Sequence, residues 1–175
     1  DQDPGEQDPG ARAVVAVKSG GDRMTSHTLR LFADQLAAKA AVAAPLAAVN
    51  CMFYVTGGMA TLTTPAAVAT LAANSAFYSN QTAKVAAGAD GARLLRYELV
   101  AADTGDDGIA AGDGISSELL LDAGLVLDSR DGYLMRCDRV DIPPGGTAYT
   151  HTHQGPGIRC LLKGGFNVEV HGETK

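Results

Sequence analysis

Long apolar runs are missing from this chain, and no stretch is long enough to cross a bilayer as a helix. Clustered positive charge is missing too. Lys and Arg total 14 against 20 Asp and Glu, a formal charge of −6, and no Lys/Arg cluster occurs. Those two absences exclude a membrane-spanning helix and argue against a phosphate-backbone partner such as nucleic acid. Cysteine is scarce: Cys51, Cys137 and Cys160 are odd in number, far apart, and form no C-x-x-C pair. Buried apolar thiols in a reducing compartment are expected from that usage. No signal peptide is visible, and the chain opens at Asp1 without Met, so the natural start is left open and the expected setting is cytoplasmic. What is present is ordinary globular material. Hydrophobic residues at 46% and charged residues at 19% argue against disorder, and 175 residues suffice for one domain or two small ones.

Residues 1–10 carry Gln-Asp-Pro-Gly twice, at 2–5 and 7–10, and read as a flexible arm. The one clear shift in composition, residues 103–115, is rich in Asp and Gly and reads as a linker. A calcium loop is the competing interpretation, because Asp103, Asp107 and Gly108 fit loop positions one, five and six. It fails where Gly105 replaces a ligand and Gly114 replaces the closing Glu.

Either side of that linker the chain repeats itself. The run Asn50 to Gly58 lies over Gly157 to Gly165, position 157 against position 50, an offset of 107 residues. The same offset sets Leu31–Asp34 over Asp138–Asp141. Ala76–Ser79 and Arg93–Leu99 read as two strands around a turn at Gly88 to Gly91. Leu36 to Ala48 is Ala-rich enough for a helix, yet Pro45 interrupts it and no amphipathic stripe is present. The repeat makes it mostly extended. A short helix is expected instead at Ser116–Asp122, capped by Ser116 or Ser117. Val170 to Glu173, containing His171, reads as a hairpin turn.

Two imidazoles stand two residues apart in Gly145-Gly146-Thr147-Ala148-Tyr149-Thr150-His151-Thr152-His153, after Pro143-Pro144. On a strand, residues i and i+2 share a face, so His151 and His153 would project together as two arms of a metal chelate. Gly164-Gly165 follows after the apolar run at 158–162. This frame resembles the first signature of the cupin superfamily: glycine, five residues, His-x-His, a gap usually ending in Glu, six residues, glycine. The Glu is absent, and Gly157 stands in its place.

The resemblance implies an all-β protein of two cupin-type jelly-roll β-barrels, a bicupin. Residues 11–102 would form the N-terminal barrel and residues 116–175 the first part of the C-terminal one. A jelly roll needs about eight strands, so the second barrel would be completed by further residues or by strand pairing across a homodimer. His151 and His153 would hold a divalent transition metal, Fe(II) first among Mn, Ni, Cu and Zn. Gly157 to Gly164 also looks like the matching segment of gentisate-type ring-cleaving dioxygenases, in which a small residue replaces Glu and three histidines hold Fe(II). That likeness implies a small organic acid or aromatic ligand, with Arg159 pairing its carboxylate. A structural Arg at a barrel mouth is the bland alternative. The N-terminal unit is chemically bare, because Ala44, Leu46 and Asn50 occupy the positions aligned with His151, His153 and Gly157, and Lys84 falls near its second-signature position. His27 and His171 are not expected to ligate. A non-catalytic small-molecule-binding or structural bicupin therefore stands beside the metal-dependent, oxygenase-like reading.

Overall fold

The computed structural model describes residues 11–15, 24–105, 108–109, 112–128, 132–153, 155–170 and 173–174. The expected arm at 1–10, together with Asp106, Asp107 and His171, lies outside them. Among the described residues there is no helix, and the chain is all-β with antiparallel pairing. Its strands are β1 (Ala11–Val15), β2 (Met24–Leu36), β3 (Asn50–Thr63), β4 (Val68–Ala72), β5 (Ala76–Ser79), β6 (Lys84–Ala101), β7 (Ile115–Asp128), β8 (Tyr133–Cys137), β9 (Glu169–Val170) and β10 (Glu173–Thr174). The main sheet runs β4-β3-β6-β2-β7, with β5 pairing β3. A β1–β8 ribbon and a β9–β10 hairpin complete the pairing. Its pairs Val170↔Glu173 and Glu169↔Thr174 flank the expected turn, whose residues 171 and 172 lie outside the described ones.

Both faces of the sheet carry apolar residues. One is lined by Leu36, Ala92, Leu94, Cys51, Phe53 and Val55, closed over by Val42, Ala83 and Ile109. The other carries Leu31, Tyr54 and Leu95, onto which Cys137, Ile158 and Cys160 pack. The Ala-rich stretch after Leu36 is not helical. It crosses the core as an irregular strap held by bridges Ala41↔Ala86 and Leu46↔Ala83, as the Pro45 interruption implies.

Four expectations are corrected. Ser116–Asp122 lies within strand β7 and is not a helix. Pairing with β2 from Ile115↔Leu36 to Asp128↔Met24 overrides local propensity, and the Ser117 hydroxyl bonds Asp34 instead of capping. No turn separates two strands at Gly88–Gly91: β6 continues through them, with residues 88–91 bulging out of its pairing with β3, and β5 pairs β3. Those glycines permit close approach instead of reversal. Gly58 has φ +72°, and a Cβ there would sit 2.2 Å from the Gly91 carbonyl oxygen, beside the register shifts that bend β3 against β6. Residues 138–153 and 155–168 contain no strand, so Cys160–Gly164 does not repeat the strand Phe53–Gly57. Ile158 and Cys160 pack through side chains alone while Gly157, Arg159 and Leu161 are exposed. Finally, the described residues of the span read as a solvated linker include anchor points: Ile109 is core, and the Thr104 and Gly105 carbonyls accept from Arg30. Hydrogen bonding in the main sheet does not break at 115/116, where the composition shift placed a unit boundary.

Candidate metal-binding pair

The histidines follow a tight turn. Pro144 presets the first central φ, Gly145 takes φ +77° at the second, and the Gly146 N–H donates to the Pro143 carbonyl at 2.8 Å. Proline then glycine in those places is what a type II turn requires. Past the turn, His151 and His153 meet with Nε2 atoms 3.2 Å apart and ring centroids 4.8 Å apart. The rings therefore meet, but not by the expected strand geometry, since no strand carries them. Both side chains are exposed instead of facing an enclosed interior.

His151 Nδ1 lies 2.6 Å from the Tyr149 carbonyl oxygen. A carbonyl only accepts, so Nδ1 carries the proton and the neutral ring keeps its Nε2 lone pair. That lone pair either accepts from His153 Nε2–H or, with His153 turned to its other tautomer, joins it on an ion. An ion about 2.1 Å from both nitrogens would subtend about 100°, an angle that tetrahedral and octahedral ions accept. The pair therefore fits two coordination positions. Among the described residues no group of three or more His, Cys, Asp or Glu could hold a metal.

The other predicted site residues are dispersed. Arg159 is exposed, as is Gly157 at the missing carboxylate. Ala44 is exposed and Leu46 packs on the core, so neither offers a donor. Asn50 Oδ1 accepts from the Tyr78 hydroxyl at 2.8 Å. His27 bonds the Thr25 carbonyl at 3.1 Å, and its ring meets Tyr133 edge-on at 6.4 Å.

Sequence reasoning missed a buried ionic network inside the main sheet. Arg96 Nε donates to Asp34 Oδ2 at 2.7 Å, and Nη1 donates to Glu98. Ser117 Oγ donates to Asp34 Oδ1 at 2.5 Å, and the Arg96 guanidinium lies 4.1 Å over the Phe32 ring. Arg96 and Asp34 are 0% and 1% exposed. Burial pushes the Glu98 carboxyl up, while Arg96 pulls it back only in part. For Arg96, burial works against the charge, but the Asp34 hydrogen bond and the two carboxylates more than offset it. The buried Cys51 thiol is pushed well up, by burial first and then by Glu98. Arg30, bonded to the Thr104 and Gly105 carbonyls, adds a second positive charge that acts on Glu98, so two arginines stand against the two carboxyl groups.

Compared with known proteins, the chain matches no family model, no curated protein and no solved structure.

Proposed function

We propose that this chain is a metal-binding bicupin acting on a small organic acid or aromatic compound, with His151 and His153 as the protein ligands to a divalent transition ion. The observation that carries the reading is the 3.2 Å approach of the two Nε2 atoms, with the His151 tautomer set by the Tyr149 carbonyl. When bound, the ion would supply Lewis-acid polarisation of a ligand oxygen, Fe(II) being favoured over Mn, Ni or Zn. Arg159, exposed six residues beyond His153, would pair the ligand's carboxylate bidentately. In this reading the jelly-roll units number two, and the second is completed by further residues or across a homodimer. The exposed Leu120, Leu121 and Val126 on β7 support a surface that needs covering.

Metal analysis and titration calorimetry on untagged full chain, purified without chelators, test the assignment. Uptake of one ion per chain is expected, weakened about tenfold or more by His151→Ala or His153→Ala. Unchanged binding in the double variant would overturn it.

A second reading, a non-catalytic bicupin that binds a small molecule or serves assembly, is favoured by one observation. The interior position where chemistry would be sheltered is filled by the internally paired Arg96–Asp34–Glu98 network. Binding of a small carboxylic acid by metal-free chain, insensitive to loss of both histidines, would select it.

A further inference from the structure

Cys137 closes β8 and Cys160 sits in the strandless segment after the histidines, yet both pack on the same cluster of Leu31, Tyr54 and Leu95. Both are half-buried thiols. Both also border the Tyr97 phenol, which is pushed up by burial first and then by the two cysteines. The third cysteine is different. Cys51 is buried on the opposite face of the sheet, and burial beside Glu98 holds its thiol protonated and inert. The 22 residues between Cys137 and Cys160, positions 138–159, include the turn at Pro143–Gly146 and both histidines.

We propose that Cys137 and Cys160 form a reversible disulfide that closes the chain around His151 and His153 and so switches the metal affinity of the pair. The segment carrying Cys160 has no strand hydrogen bonds to break, so the two Cα atoms can adjust to the roughly 4.4–6.8 Å that a disulfide spans. The oxidant is a low-molecular-weight disulfide such as oxidised glutathione. The Cys160 thiolate attacks one glutathione sulfur, breaks the S–S bond and expels a glutathione thiolate. The Cys137 thiolate then attacks the Cys160 sulfur of the mixed disulfide and expels the second. One protein S–S bond forms, one glutathione disulfide is reduced to two thiols, and the two cysteine protons end on the expelled thiolates. Closing the loop removes disorder that an ion would otherwise have to remove on binding, so the closed form chelates more tightly.

The switch rests on the metal reading, but the disulfide is measured without metal. Full chain is treated with oxidised glutathione and examined by intact mass and by non-reducing peptide mapping. The expected product has lost two hydrogens, joins Cys137 to Cys160, persists in Cys51→Ser, and is replaced by stable glutathione adducts in Cys137→Ser or Cys160→Ser. Absence of that cross-link, or equal linkage through Cys51, overturns the proposal. Zinc titration then compares oxidised chain with the Cys137→Ser/Cys160→Ser variant, which is open and has no thiols in the loop to bind the ion. About tenfold tighter binding by the closed chain is expected, and equal affinities overturn the switch. A cross-link with no zinc binding in either form sinks the metal reading while leaving the disulfide in place.

Discussion

Replacing Asp34 by alanine is the sharpest test of what holds the main sheet together. The carboxylate is 1% exposed and accepts from Arg96 Nε at 2.7 Å and from the Ser117 hydroxyl at 2.5 Å. Its removal leaves the Arg96 guanidinium, 0% exposed, with Glu98 and Ser117 as partners and the Phe32 ring against its face. Breaking a buried pair from one side costs about 3–5 kcal/mol, because the surviving charge stays buried with too little compensation. Natural domains have only about 5–15 kcal/mol in total, so Asp34→Ala should bring the chain close to unfolding at 25 °C.

Equilibrium urea denaturation reads this out as a fall in midpoint at constant slope. The companion is Asp34→Leu/Arg96→Met, which removes both charges and fills the space with apolar atoms. Replacement of a buried pair in this way is often neutral or stabilising, so most of the loss should be recovered. Glu98 then loses Arg96, but its carboxyl, already pushed up by burial, can take a proton, and Arg30 remains nearby. A cost below about 1 kcal/mol for Asp34→Ala, or no recovery in the double variant, would refute the reasoning.

Glu98 gives a pH test. Its carboxyl is pushed up in the folded chain from an ordinary value of 4.5, so folding favours the protonated form. That contribution is complete below 4.5 and is lost as pH rises through the higher folded value. Stability of Glu98→Gln relative to the parent should therefore improve as pH rises above 4.5 in parallel thermal melts, and superimposable pH profiles would contradict this. Gly58→Ala should cost roughly 1–3 kcal/mol in urea titrations, because φ is +72° and the new Cβ would meet the Gly91 carbonyl. Phe53→Ala, deep in the core at 1% exposure, should cost about 3–5 kcal/mol in the same assay. Light scattering should find the chain self-associated, with Leu121→Lys on exposed β7 reducing association, and a parent that stays monomeric at all concentrations would count against a homodimer.

The strand-rich fold class was legible because apolar runs alternate with Gly, Pro and Asn punctuation and no helical stripe is sustained. β5 was read to its boundaries. What misled was glycine: Gly88 and Gly91 look like turn formers, but a Cβ on Gly88 would crowd Met59 of β3 and one on Gly91 would meet the Leu36 carbonyl at the end of β2. Ser116–Asp122 misled for a different reason, since its fate depends on β2, some ninety residues earlier in the chain. The ionic network was hidden by parity. Along β2, Leu29, Leu31 and Ala33 alternate with Arg30 and Asp34, a pattern that reads as a solvated polar face. The fold buries both faces, and only the cross-strand partners Arg96 and Glu98, more than sixty residues away, make the polar side tolerable.

That inversion bears on where chemistry can occur. The Arg96–Asp34–Glu98 network, packed among Phe32, Ser117 and Cys51, is paired internally, and through Arg96, Asp34 and Ser117 it ties β6, β2 and β7 together. His151 and His153 stand opposite in every respect: exposed, off the sheet, and held by one backbone carbonyl and by each other. Two imidazoles alone are a weak chelate, and their usefulness depends on how firmly the surrounding chain is held. Between Cys137 and the packed pair Ile158 and Cys160, the described chain is held by the turn at Pro143–Gly146, by the Arg139–Asp141 ion pair and by Arg139 reaching Tyr54. The proposed switch acts at this point, because Cys137, Ile158 and Cys160 pack on the Leu31–Tyr54–Leu95 cluster at the two ends of the chain that carries the histidine pair.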